Sequence, residues 1–316
     1  MIRGRPSSPD GKYYSAFLRG TTFVIGQVEQ ADNDSPYVTD LRGTQVQTKI
    51  GPYVDTFLAA LALAEAKGRM PDRSSEVRLS AALDKVIAKM QRHQQKDGTW
   101  AMGGWAPVVG QSLAAAGLSR AHQRGAKVSN ETLQRAEKYA RNQYDPGSKS
   151  FSGAGSAEVP LYATASHLSS SSHTIDSFEV NKAEYRRVAD SHTSSPEARA
   201  EAEEWLRYFQ EAEAAHKESL SSSYASFRNP NFTQGFGSNG GEEFLSYLNI
   251  SETLLLKGGQ EWEDWDRSMS ENLERIQNKD GSWTGHHCIT GRTFCTAAAL
   301  LVLVADRAPR PEPATV

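Results

Sequence analysis

The stretch Gln277-Asn-Lys-Asp-Gly-Ser-Trp283, continued by Thr284-Gly-His-His-Cys-Ile-Thr-Gly-Arg-Thr-Phe-Cys-Thr296 and the apolar run Ala297 to Val304, decides how the chain is read. It has the grammar of a helix end, a tight Asp-Gly turn, a polar connection and then an apolar helix. Its first half recurs almost unchanged as Gln94-Gln-Lys-Asp-Gly-Thr-Trp100, and a degenerate copy runs from Gln143 through Gly147 to Phe151. A unit that returns in this way is the signature of a repeat architecture.

Working outward, two kinds of helical pattern alternate. Amphipathic stretches carry apolar residues at steps of three and four, as in Leu83, Val86, Ile87 and Met90, or Trp262, Trp265, Met269, Leu273 and Ile276. Between them lie segments apolar nearly all round, such as Val54–Leu63, Ala106–Leu118 and Ala297–Val304, which predict helices buried on most sides. Period-two runs are short, so strands are not expected. The pattern predicts an all-α chain of five to six helical hairpins, an α/α toroid with apolar helices inside and amphipathic ones outside. Residues 1–20 read as a loose segment, 21–305 as one toroid domain, and 306–316 as a disordered Pro-rich tail. Thr21–Val28 reads as a short first element. The Ser- and His-rich residues 166–195 read as an interruption, and Ser219–Gly241 as a long loop. Ser195-Pro-Glu197 opens a helix expected to run to about Lys217.

Composition narrows the function. A net charge of −3 over 316 residues leaves no basic footprint for nucleic acid. No stretch approaches the roughly 18 apolar residues of a membrane span. The N-terminus lacks the apolar core of a secretory signal, so a cytoplasmic location is expected, with export left open. Cys288 and Cys295 would stand about 10 Å apart on one helix, too far for a disulfide, and are expected as reduced thiols.

The Gln-x-x-x-Gly-x-Trp copies at 94–100 and 277–283 resemble the glutamine–tryptophan motif of the squalene and oxidosqualene cyclases. The resemblance extends to the α/α-toroid superfamily that also holds the β-subunits of protein prenyltransferases, and covers most of residues 45–305. It implies the toroid, with a small apolar or isoprenoid substrate in its central cavity. The cyclases' Asp-x-Asp-Asp is not retained, nor is the Asp-Asp-x-x-Asp of diphosphate-dependent terpene enzymes or the Cys-Gly-Glu-Gln of thioester domains. Aligned on a recurrent Thr or Ser, the inner helices give Asp55-Thr56, Gln111-Ser112, Ala163-Thr164, Glu252-Thr253 and Cys295-Thr296. Cys295 then falls where prenyltransferases place a zinc ligand, which makes Cys295 and His286 the positions at which a zinc ion is to be sought, as the one cofactor the resemblance suggests.

This register puts Asp55, Glu252 and Cys295 at one height around a closed ring, with His286, His287, Arg292, Glu242 and Glu243 at a rim. The acid–base candidates are therefore Glu252, Asp55, His287 and Glu243, since carboxylates inside apolar helices are costly unless paired or functional. Tyr53, Trp105, Tyr162 and Tyr247, near inner-helix N-termini, are candidates for substrate contact along with Arg292. The leading expectation is an enzyme on an isoprenoid or other apolar substrate. A non-catalytic toroid binding a peptide or lipid, and a carbohydrate-active α/α barrel using paired carboxylates, stand as alternatives.

Overall fold

The computed structural model describes residues 11–307. Among them the chain is all-α, apart from one two-stranded hairpin of β1 (Tyr144–Asp145) and β2 (Ser150–Phe151). In chain order the helices are α1 (Tyr14–Gln30), α2 (Gln45–Ile50), α3 (Val54–Ala66), α4 (Arg73–His93), α5 (Pro107–Gln123), α6 (Asn130–Arg141), α7 (Pro160–Asp190), α8 (Pro196–Phe227), α9 (Pro230–Thr233), α10 (Gly241–Lys257), α11 (Gln260–Arg275) and α12 (Arg292–Leu303). A short 3₁₀ turn, Ala305–Arg307, follows.

The apolar helices form a consecutive row. Helix α3 packs on α5, α5 on α7, α7 on α10 and α10 on α12. The amphipathic helices lie against it: α4 on α3, α6 and α8 on α7, α11 on α10 and α12, while α1 packs on both α3 and α4. Glycine allows a further close approach, of α5 to α2. A Cβ on Gly110 of α5 would stand 2.1 Å from the Ile50 carbonyl.

The repeated motif builds the same clasp twice. Trp100 donates its indole N–H to the Met90 carbonyl at 2.8 Å and its backbone N–H to Gln111 Oε1 at 2.9 Å. Trp283 does the same to the Leu273 carbonyl (2.9 Å) and to Thr296 Oγ1 (3.0 Å). Each tryptophan thus joins the amphipathic helix before the turn to the apolar helix after it. Burying an indole of about 200 Å² is worth on the order of 5 kcal/mol. Within the turns Asp97 accepts from the Thr99 N–H and hydroxyl, and Asp280 from those of Ser282. The copies differ at the glutamine. Gln94 reaches the Gly98 carbonyl, the Thr132 carbonyl of the next unit and Arg135, whereas Gln277 bonds the Gly281 carbonyl of its own turn. The degenerate copy makes the β1–β2 hairpin, with Phe151 stacked on His167 at 5.6 Å.

Four expectations need correction. Helix α1 starts at Tyr14, so a loose segment reaching residue 20 and a first element confined to 21–28 are both too restrictive; Phe17, Thr21, Ile25 and Val28 form its buried face. The presumed interruption at 166–195 lies largely within α7, a 31-residue helix that reaches Asp190. The first nine residues of the expected loop Ser219–Gly241 are the last part of α8, which runs ten residues past Lys217 to Phe227, and Pro230–Thr233 within it form α9. Both errors have one cause. Serine competes with the helix through local hydrogen bonds, but here the hydroxyls of Thr174, Ser221, Ser222 and Ser223 bond carbonyls one turn back within the helix. The small buried side chains also let α7 sit among α5, α6, α8 and α10. Finally, α12 is buried on one side: Cys295, Ala298, Ala299 and Val302 are covered, while Leu300 is 38% exposed. The tail expected over 306–316 lies outside the described residues from 308 onward.

Gly98 and Gly281 hold the two turns at φ +93° and +80°. A Cβ at Gly98 would meet the Arg135 carbonyl oxygen at 2.0 Å, while at Gly281 the nearest atom is Gln277 Nε2 at 3.9 Å. Gly281→Ala is therefore expected to cost about 1–2 kcal/mol from backbone strain alone, and Gly98→Ala about 3 kcal/mol or more. Urea denaturation of the two variants measures this, and equal losses would contradict it.

Candidate functional site

Helix α10 carries a line of buried polar side chains: Glu242, Glu243, Ser246, Asn249, Ser251, Glu252 and Thr253. The helices beside it bring partners. Asn249 donates to Ser112 of α5 at 2.9 Å and accepts from Ser169 of α7 at 3.3 Å, so the contact among three apolar-looking helices is hydrogen-bonded. One turn further along, Glu252 Oε2 lies 2.9 Å from His173 Nε2 of α7, and both residues are buried. A carboxylate against one ring nitrogen fixes the orientation of the imidazole. His173 was hidden in the sequence within the Ser-rich stretch read as an interruption; once that stretch is helical, burial of a histidine is the signal.

Beside this pair opens a cleft of about 740 Å³ between α5, α7, α8 and α10. Ser172 and Thr253, the sequence neighbours of His173 and Glu252, line it, together with Ile175, Val180, Leu220 and Leu256. Its size suits a small-molecule ligand.

A second cluster forms at the N-terminus of α10. Glu243 accepts from the Gly240 N–H at 2.8 Å, from the Phe236 N–H at 3.0 Å and from the Tyr162 hydroxyl, with His287 Nε2 at 3.3 Å. Through the Gly240 bond it caps the start of α10 from one side, and its partners saturate it. Burial and the neighbouring carboxylate push the Tyr162 phenol well above its ordinary range. Glu242 is fully buried; its Oε2 accepts from the Ile289 N–H at 3.2 Å, and its Oε1 has no partner. Burial pushes its pKa up, with repulsion from Glu243 adding to it. Trp105 closes this end, packed edge-on against Tyr162 and Phe236 with the Lys49 ammonium 5.4 Å from its ring. Cys288, half-buried with φ +52°, lies within the field of Glu242 and Lys49.

The predicted residues therefore divide. Glu243, His287, Tyr162 and Trp105 are together at this end, and Cys295 belongs with them: burial, with Glu242 and Glu243 contributing, pushes its thiol up to about 11. Glu252 pairs with His173 instead. Asp55 accepts from Gln47 at 2.5 Å on α2, and burial raises its pKa. The expected meeting of Asp55, Glu252 and Cys295 on one cavity is thus replaced by three different settings, the last with Cys295 Sγ on the Ile289 carbonyl at 3.4 Å.

The register behind that expectation slips by one. Gln111 and Thr296 make the same bond to a tryptophan N–H, each four residues after the first residue of its helix, Pro107 or Arg292. Cys295 accordingly corresponds to Gly110, not Gln111. Arg292 faces away from both clusters and pairs with Asp280 of the turn at 2.7 Å, both exposed. Tyr247 is buried with its hydroxyl on the Thr233 carbonyl, and Tyr53 packs edge-on against Tyr37. His286 is exposed. Among the described residues no three His, Cys, Asp or Glu side chains are grouped to hold a metal, so Cys295 and His286 lack the ligand count of a zinc site. No helix among the described residues is long and apolar enough to cross a membrane.

Compared with protein families, curated proteins and solved structures, the chain matches none.

Glu242 gives a pH test of the buried end. Its folded-state pKa lies above the ordinary value of 4.5, so the folded chain holds this proton more tightly than the unfolded one. Its stabilising contribution is intact below 4.5 and is lost as pH rises through the raised folded value. Glu242→Gln is expected to raise the urea midpoint relative to the parent at about pH 7–8, with the difference closing near about pH 4. A difference independent of pH would count against a buried, strained carboxylate.

Proposed function

We propose that α3, α5, α7, α10 and α12 are the inner helices of an α/α toroid and that the chain is an enzyme acting on an isoprenoid or other apolar substrate. The carrying observation is the buried His173–Glu252 pair beside the 740 Å³ cleft. The apolar side chains of Ile175, Val180, Leu220 and Leu256 suit the body of such a substrate, and desolvating them on binding would supply most of the affinity. The carboxylate–imidazole pair supplies a group able to take or return a proton. Glu252, the inner-helix acid singled out in the sequence, keeps its place in this reading as the residue that orients His173. Glu243 and His287 act instead as the clasp at the far end of α10, because four partners already occupy that carboxylate.

A second reading, a toroid that binds a lipid or peptide without turnover, draws on the same cleft. The carbohydrate-active reading is less well supported, since the cleft's acids are engaged: Asp176 with Gln123 at 2.6 Å, Glu179 and Glu213 with Lys182.

The readings separate on a panel of isoprenoid alcohols, diphosphates and hydrocarbons followed by equilibrium binding and product analysis. Under the enzymatic reading, His173→Asn and Glu252→Gln lower turnover by about 10²–10⁴-fold while ligand affinity stays within about threefold. Tight binding with no turnover by the parent protein supports the non-catalytic reading, and unchanged turnover in both variants removes the pair from the chemistry.

A further inference from the structure

We propose that the depression between the end of α8, α9, α10 and α11 is a second small-molecule site, one that takes a phosphate monoester of a hydroxylated body. It shares no lining residue with the cleft above, so it stands or falls apart from the functional reading.

Three observations carry it. The first is its charge. The depression has a volume of about 450 Å³, and the charged residues that line it are Arg228 and Arg275; among the described residues no Asp or Glu does. The larger cleft, by contrast, holds Asp176, Glu179 and Glu213 beside its cations. Arg228 pairs at 3.0 Å with Asp264, which lines the neighbouring depression and not this one. Arg275 has no carboxylate at ion-pair distance among the described residues; its guanidinium bonds the neutral Asn272 Oδ1 at 2.6 Å. Its charge also acts on the phenol of Tyr247, which lines the same space, and opposes the rise that burial gives that group. A guanidinium offers several N–H donors and no acceptor, which matches a phosphate oxyanion and excludes a cation.

The second observation is a set of neutral polar groups left unused. Ser238, Asn239 and Ser268 line the depression, and Ser238 and Ser268 are exposed. Among the described residues none of these three side chains makes a hydrogen bond within the protein. Hydroxyl and amide groups both donate and accept, as the hydroxyls of a polyol do. A bare oxyanion would use their donors alone.

The third is that the wall carrying two of these groups is fixed through its main chain. The Tyr247 hydroxyl donates to the Thr233 carbonyl at 2.8 Å and Gln234 Nε2 to the Gly237 carbonyl at 2.9 Å. His287 Nε2 donates to the Ser238 carbonyl and the His286 N–H to that of Asn239, both at 2.7 Å. The backbone is thus held while the Ser238 and Asn239 side chains stay available, and a site ordered in advance loses less entropy on binding.

The test is calorimetric titration of the full chain with glucose 6-phosphate, glucose and inorganic phosphate at about 0.15 M salt, where long-range surface charge is screened. Two variants accompany it: Arg275→Gln, and Arg267→Gln, whose arginine lines the neighbouring depression only. Both arginines are exposed, so the substitutions leave the fold intact, which an unchanged thermal midpoint verifies. The ester is expected to bind about tenfold more tightly than glucose or phosphate, Arg275→Gln to remove about tenfold of that affinity, and Arg267→Gln to leave it within about twofold. Glucose binding as tightly as its phosphate ester overturns the reading of the charge. Inorganic phosphate binding as tightly as the ester overturns the hydroxylated body. Equal losses in the two variants, or no binding of any of the three probes, overturn the site itself.

Discussion

The indole N–H of a tryptophan reaching back to the last turns of the preceding helix is the contact on which the arrangement depends. In both copies the ring is buried, its N–H is satisfied by a helical carbonyl, and its own backbone N–H is held by the first turns of the helix that follows. One residue therefore fixes where an amphipathic helix stops, how sharply the chain turns, and at what height the next apolar helix begins. The asymmetry between Gln94 and Gln277 adds a further level. The first amide also bonds the Thr132 carbonyl, tying its unit to the next, while the second closes its own turn.

Much of this was legible in the sequence because the clasp uses chemistry with strict positional needs. An Asp-Gly turn needs a residue tolerant of positive φ, and an indole that ends a helix must stand at a set distance from it. What stayed hidden was the helical state of the serine-rich segments. Residues 166–177 and 219–223 look like punctuation when serine is judged alone; they are helix because tertiary packing covers them and their hydroxyls close on the turn before. That misreading concealed His173, and with it the true partner of Glu252. The inner register suffered in a smaller way. Aligning on Thr or Ser matched Ser112 to Thr296, whereas the equivalent of Thr296 is Gln111, whose longer side chain does the same work.

The two buried carboxylate sites on α10 show how similar sequence signals separate once geometry is known. Glu243 and Glu252 are both acids in a largely apolar helix. Glu243 is surrounded by donors and behaves as a cap, its charge spread over backbone N–H groups and a tyrosine. Glu252 is bound to an imidazole, next in sequence to residues that line the cleft. The cost of burying charge is met in the first case by structure, and in the second by a group that can itself exchange a proton. Sequence alone could rank both as costly, but not assign them opposite roles.

The one-sided burial of α12 has a consequence for how the molecule breathes. Its covered face is four residues, Cys295, Ala298, Ala299 and Val302, against a helix that is otherwise apolar, whereas α5 is enclosed nearly all round. A helix with so small a covered face, packed chiefly on α10 and α11, has a low opening free energy. Amide protons of α12 should therefore exchange through local opening before those of α5. Each such opening would release Thr296 from Trp283 and loosen the second clasp, leaving the first, enclosed between α4, α5 and α6, to hold the fold's register.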